Sequence, residues 1–196
     1  MADSNIGTRS VSDPLALRAL AHPLRIRLLR LVGREGTLTA ADAARQLGVS
    51  HALASHHLRQ LAKYGYVEQA DAPDGRARPW RVTTTSFELD PAEESGWDAA
   101  DALQRLAVDQ AGRDVEEWQR RRPEEDPRWQ ALAGVRSGLV YLTADQLEEA
   151  LAAWAAILQP LVDQAPIGHH DARHPASRPV SYALVTVPID PTARGG

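Results

Sequence analysis

Ser50-His-Ala-Leu-Ala-Ser-His-His-Leu-Arg-Gln-Leu-Ala-Lys-Tyr64 is the stretch around which the chain is organised. Ala54, Leu58 and Leu61 recur at i, i+4 and i+7, a helical period that no strand satisfies. The opposite side carries His51, Ala52, Ser55, His56, Arg59 and Lys63, small or hydrogen-bonding near the start and cationic later. Ser50 stands at the N-cap and Gly65 where the helix must stop. Short polar side chains near a helix N-terminus, backed by cations, suit insertion into a DNA major groove. His57 falls on the Ala54/Leu58/Leu61 side and is expected to pack inward. His56 faces outward with Ser55 and Arg59, as a candidate DNA contact.

The flanking residues complete a motif. Thr39-Ala-Ala-Asp42 resembles a capping box with Asp in place of Glu, opening a helix through Leu47 whose inward face is Ala40, Ala43, Ala44 and Leu47. Gly48-Val49-Ser50 is a three-residue turn, so helix, turn and second helix follow in order. Tyr66 to Ala70 reads as a strand and Pro79 to Thr83 as its return. The loop between them, Asp71 to Arg78, has Asp74-Gly75 at its tip. That hairpin is a wing whose Arg76 and Arg78 can reach phosphates or the minor groove. Thr37-Leu-Thr39 is expected to add a third short strand. Upstream, residues 1–12 read as a disordered tail. Asp13-Pro14 starts a helix through Leu15, Leu17 and Leu20, and His22-Pro23 breaks it. A further helix, Pro23 to about Val32, presents Leu24, Leu28 and Leu31, and His22 is expected to be a turn or cap residue.

Leu20-Ala-His-Pro-Leu-Arg-Ile-Arg-Leu-Leu29 resembles the second-helix signature of the arsenic-repressor-like (ArsR-type) winged-helix regulators. Leu47-Gly-Val-Ser50, Ser55-His-His-Leu58, Leu61 and Gly65-Tyr-Val67 are similar to that family's recognition segment. The resemblance covers about residues 13–85. It implies a winged helix-turn-helix DNA-binding domain at 13–90 and a regulator, most often a repressor, that dimerises through its terminal helices.

Composition bounds the alternatives. With 43% hydrophobic residues the 196-residue chain can bury a core, and its length suggests a second small domain beside the winged helix. No segment approaches the roughly 20 apolar residues of a membrane span. The N-terminus lacks the regions of a signal peptide, so cytoplasmic residence is expected. Zero cysteines exclude disulfides and thiolate metal sites, including the thiol-rich sensing of metal-binding relatives. The net charge of −4 divides unevenly: residues 1–90 hold 12 Lys and Arg against 9 Asp and Glu, and residues 91–196 hold 10 against 17. A basic front half and an acidic back half place DNA at one end only.

Pro91 to Ser95 opens a long helix reaching about Arg121 and filling residues 91–122. Trp97, Ala100, Leu103, Ala107, Ala111, Val115 and Trp118 form one stripe along it. With Leu17 of the first helix, Trp97, Leu103, Ala107, Ala111, Val115 and Trp118 make the candidate dimer interface. The stripe's other reading is packing against the chain's own C-terminal part.

Residues 123–196 read as a strand–helix–strand domain for dimerisation or effector binding. The strands are Arg136 to Leu142 and Val180 to Val187. The helix is opened by a Thr143/Gln146 capping box and carries Leu147, Leu151, Trp154, Leu158 and Leu161 at 4-3-4-3 spacing. Two strands alone are marginal, so this sheet is expected to borrow strands from a partner subunit or to pack on the long helix. His169, His170 and His174 have a metal-like spacing but fall in a Gly- and Pro-bearing loop with no Glu or Cys beside them. No metal site, cofactor or catalytic motif is assigned.

The fold class is therefore mainly α with small β. The expected function is a homodimeric, sequence-specific transcriptional regulator that binds double-stranded DNA through Ser50, His51, Ala52, Ser55, His56, Arg59, Lys63, Arg76 and Arg78. A small-molecule effector would enter where Trp97, Trp118, Trp129 and Trp154 gather, unless these tryptophans simply fill a core. The alternative is a winged helix used only for protein contact. An enzyme has only the histidine cluster in its favour.

Overall fold

The computed structural model describes residues 8–11, 13–71, 78–83, 86–89, 97–164 and 174–189. Expectations about Asp74-Gly75, Arg76, Pro91 to Ser95, His169 and His170 lie outside them. The described elements are β1 (Thr8–Val11), α1 (Pro14–Leu20), α2 (Pro23–Glu35), α3 (Ala40–Leu47), α4 (His51–Lys63), β2 (Val67–Gln69), β3 (Trp80–Val82), β4 (Ser86–Leu89), α5 (Trp97–Arg121), α6 (Pro127–Leu132) and α7 (Ala144–Gln164). The chain divides into two compact units, Met1–Leu106 with Ser137–Pro179 and Ala107–Arg136 with Val180–Gly196.

In the first unit the helix boundaries follow local chemistry. Asp13 Oδ1 accepts from the Leu15 N–H at 2.9 Å, with Pro14 in the first turn of α1. His22 caps α2, its Nδ1 accepting from the Leu24 N–H at 3.1 Å. Thr39 Oγ1 accepts from the Asp42 N–H at 3.1 Å and donates to Asp42 Oδ2 at 2.6 Å. The shorter Asp thus closes on the threonine hydroxyl, where a Glu would reach back to the cap N–H. Asp42 is held below the usual carboxylate range, by that hydrogen bond first and by Arg45 in addition. Gly48 ends α3 at φ 66°, in the left-handed region that glycine enters without a Cβ clash. Ser50 Oγ then accepts from the Leu53 N–H at 3.2 Å to open α4.

The core gathers Leu17 and Leu20 of α1, Leu28 and Val32 of α2, Leu58 and Leu61 of α4, and Tyr66 and Val67 beyond α4. Tyr66 is fully buried, and its hydroxyl donates to the Ala16 carbonyl at 2.8 Å, tying the base of the wing to α1. β2 and β3 pair antiparallel, with Val67 opposite Val82, Glu68 opposite Arg81 and Gln69 opposite Trp80. Leu38 adds a single bridge to Trp80 through two backbone hydrogen bonds of 3.0 and 2.8 Å. The third wing strand read from Thr37 to Thr39 is thus one residue pair. Val67, Trp80 and Val82 face inward, while Glu68 and Arg81 pair across the exposed face at 2.7 Å.

Three expectations need correction. The tail includes β1, which pairs in parallel with β4, Thr8 opposite Ser86 through Val11 opposite Leu89. Val11 is buried in the core. Such a pairing joins segments far apart in sequence and leaves no local signature. Second, Pro123 to Pro127 is less a linker than a short 3-10 turn (Arg122–Glu124) leading into α6, which is capped by Asp126 and started by Pro127. Third, neither residues 136–142 nor residues 180–187 form a strand: the described ladders join only β1 with β4 and β2 with β3. The helix between them is present, and its capping box is reciprocal. The Thr143 N–H donates to Gln146 Oε1 at 2.9 Å, and the Gln146 N–H to Thr143 Oγ1 at 3.2 Å.

In the second unit, Gln110 Nε2 donates to Asp114 Oδ1 at 2.9 Å along α5, and Ser181 Oγ donates to Asp114 Oδ2 at 2.5 Å. Arg121 lies over the Trp118 ring, 5.4 Å from its centroid, and donates to Glu125 Oε1 at 2.9 Å.

The Tyr66–Ala16 hydrogen bond yields a direct test. Tyr66→Phe keeps the ring but leaves the buried Ala16 carbonyl without its donor, and is expected to lower unfolding free energy by about 1–3 kcal/mol. Urea titration of the two proteins measures it; equal midpoints would show that the hydroxyl contributes nothing.

Candidate nucleic-acid interface

The face that α4 turns outward is set by the face it buries. Ala54, His57, Leu58 and Leu61 are buried. At about 100° per residue, Ala52, His56, Arg59 and Lys63 must then point away from the core, and all four are exposed. His51 and Ser55 lie a quarter-turn from that ridge, on the side of α3 and the wing.

There the chain forms an open cleft of about 410 Å³ lined by Thr39, Ala40 and Ala41 of the α3 start, His51, Ser55 and Arg59 of α4, and Gln69, Arg78 and Trp80 of the wing. Arg59 Nη1 donates to Ser55 Oγ at 2.9 Å, holding the guanidinium along the helix. Among the described residues no acidic side chain lines the cleft, and its two described cations stand on different elements. Beyond the Thr39 cap, the first N–H groups of α3 form the positive end of a helix dipole.

Of the residues singled out for DNA contact, the cleft gathers His51, Ser55, Arg59 and Arg78. Ala52, His56 and Lys63 lie outside it along the exposed ridge, and Ser50 serves as the exposed cap. Thr39, Gln69 and Trp80 were not expected at the site. Thr39 was read as a cap and Gln69 and Trp80 as wing-strand residues, with no pattern to mark them as part of one site. Leu53, 42% exposed in the first turn of α4, lies on the opposite flank of the ridge and does not line the cleft.

The dimer candidates divide. Leu17 is 0% and Leu103 5% exposed, so their surface is already spent within the chain's own core. Trp97 is 57% exposed; Ala107 is exposed, and Ala111, Val115 and Trp118 are half-buried. The Trp118 ring nitrogen is buried without a hydrogen-bond partner. Trp154 is 39% exposed, and Trp129 is half-buried. His174 Nδ1 accepts from the Ala176 N–H at 3.1 Å, so that nitrogen is used in a local turn.

Behind the recognition face lies a histidine pair. The His57 and His22 rings are 4.5 Å apart, and His56 meets His57 edge-on at 5.3 Å. His57 Nδ1 is buried without a partner. Burial lowers the pKa of His57, with the charges of His22, Arg25 and His56 adding to the effect; burial and then Arg25 lower that of His22. Arg25 itself donates to the Ala19 carbonyl. Protonating His22 at Nδ1 would also remove the acceptor that caps α2.

A family model described as a helix-turn-helix domain matches residues 20–70, the span from the end of α1 to the end of β2. No curated protein matches. Among solved structures, the Lactococcus lactis ZitR E41A mutant is 14% identical over 69% of this chain and 74% of its own, with a TM-score of 0.32. Wild-type MarR from E. coli, apo form, is 16% identical over 75% of this chain and 88% of its own, with the same TM-score of 0.32. Superpositions that loose do not define function. The N-terminal part is a winged helix-turn-helix domain, and the domain match with the cationic cleft supports a DNA-binding transcriptional regulator.

The two adjacent histidines should separate on mutation. His56→Ala is expected to leave thermal stability within about 0.5 kcal/mol of wild type, as for a surface change. His57→Ala should melt earlier. If His56→Ala is the unstable one, α4 is rotated from this description.

The histidine pair also makes stability pH-dependent. Folded values below the ordinary histidine value of about 6.5 mean that the unfolded chain binds more protons near that pH. Stability is therefore full above about pH 6.5 and falls as the pH drops through the lowered folded values. A His22→Asn/His57→Ala double variant, which retains a capping side chain, should lose less stability between pH 7 and pH 5 than wild type. Parallel slopes in denaturant titrations would exclude the pair as the cause.

Proposed function

We propose that the protein is a homodimeric, sequence-specific DNA-binding regulator of the ArsR type that acts as a repressor in the cytoplasm. The observation that carries this reading is the cleft where Arg59 of α4 and Arg78 of the wing meet the α3 start, with no acidic side chain among its described lining residues. A DNA phosphate is the ligand such a site suits: cations on two elements bracket it, and helix N–H groups meet it. With a phosphate seated there, the ridge of Ala52, His56 and Lys63 faces the major groove, and His51 and Ser55 approach base edges from its flank. A twofold dimer would bring two such ridges to successive grooves of a near-palindromic site, with α5 as the first candidate for joining the copies. Any signal it senses is not a thiolate-bound metal, because the chain has no cysteine.

Binding of the full chain to duplexes selected from a random pool, titrated across a salt series, tests this reading. Arg59→Ala and Arg78→Ala should each weaken selected and random duplexes alike and reduce the salt slope by about one. Unchanged affinity and slope, or no selection of any duplex, would favour a winged helix used for protein contact.

A further inference from the structure

The N-terminal half of α4 lacks the side chains with which proteins most sharply tell bases apart. Arg and Lys pair with guanine, Asn and Gln with adenine, and Asp and Glu accept from cytosine. Ser50 to Leu58 contains none of these six residue types, although the start of a recognition helix is the part that meets base edges. The first cation, Arg59, donates to Ser55 and lines the cleft read above as a phosphate seat. The first two turns therefore present only His51, Ala52, Leu53 and His56 as exposed side chains.

Leu53 is the large apolar side chain of α4 that stays exposed, at 42%, while Leu58 and Leu61 are 0% exposed. It belongs neither to the core nor to the partly buried apolar groups packed against it. Its backbone is held in place, because its N–H is the donor to Ser50 Oγ at 3.2 Å that opens the helix. Ala52 stands beside it in the chain, and His56, three residues on, is its neighbour on the helix surface. A lone exposed leucine elsewhere would need no explanation. This one is continuous with the outward ridge, on the flank away from His51 and Ser55. The leading end of that ridge is thus uncharged and carries an apolar edge. Phosphates and the polar base edges offer nothing to a leucine. The major groove holds one apolar group, the C5 methyl of thymine.

We propose that Leu53 is a specificity-determining residue that packs on a thymine methyl in the major groove. This assignment rests on the DNA-binding regulator reading above and names what its first turn selects. His51 and Ser55 address the groove from one flank by hydrogen bonding. Leu53 addresses it from the other by excluding water from a methyl group, so a required thymine replaces the guanine or adenine contact that the helix start cannot make.

The experiment starts from duplexes that the full-length protein selects from a random pool. Each thymine of a selected duplex is then replaced, one at a time, by deoxyuridine, which lacks only the methyl. At one thymine in each half-site the wild-type protein should lose about fourfold in affinity, equivalent to the roughly 0.8 kcal/mol of one buried methyl-sized group. Leu53→Ala should bind the thymine and uracil duplexes alike at that position. Its melting and its salt slope should match wild type, since the change removes a surface group and no phosphate contact. Leu53→Met, which keeps an apolar reach, should retain a preference of about twofold or more for thymine. Wild-type binding indifferent to deoxyuridine at every thymine would overturn the proposal and leave the regulator reading standing. So would a Leu53→Ala protein that keeps the full wild-type penalty at the same thymine. Failure to select any duplex would remove the regulator reading and this assignment together.

Discussion

The burial of one face of α4 is the constraint on which the rest of the winged helix depends. Ala54, Leu58 and Leu61 are 0% exposed, and each is a small or aliphatic side chain with no polar group to satisfy. A helix pinned along that line has no rotational freedom left, so the opposite ridge of Ala52, His56, Arg59 and Lys63 is presented by default. Leu28 and Val32 of α2 share this core, and Tyr66 locks its far side by donating to the Ala16 carbonyl. Recognition geometry here is a consequence of packing rather than of the recognition residues.

His57 is the exception within that face. A buried imidazole nitrogen without a partner is tolerable only while the ring is neutral, and His22 and Arg25 beside it raise the cost of a positive charge. His22 has its own reason to stay neutral, since its Nδ1 lone pair caps α2. The two rings therefore couple the start of α2 to the middle of α4, and this coupling weakens as they take up protons.

Electrostatics divides the chain along its length. The described cleft lining assembles Arg59 and Arg78 without an acid, while α7 carries acids without a base. A net charge of −4 is thus no obstacle to a DNA-facing surface, because the field that a phosphate meets is local and the distant acids are screened beyond about 10 Å.

Much of the winged helix was legible in the residues themselves. Ser50, Thr39, Asp13 and Thr143 act as caps through bonds to N–H groups two or three positions on, which makes helix starts readable from short motifs. The 3.6-residue period of Ala54, Leu58 and Leu61 set the inward side of α4, and with it the opposite roles of His56 and His57. What local pattern could not supply was any pairing between distant segments. β1 and β4 meet across most of the N-terminal half, and Thr39, Gln69 and Trp80 become cleft residues only when the wing folds beside α3. Leu17 and Leu103 read as interface residues because an apolar stripe looks the same whether its partner is the chain's own core or another molecule. The C-terminal segments make the complementary point. Alternation in Val180 to Leu184 records a strand's preference, but a strand exists only when its backbone finds a neighbour, and tertiary structure decides that.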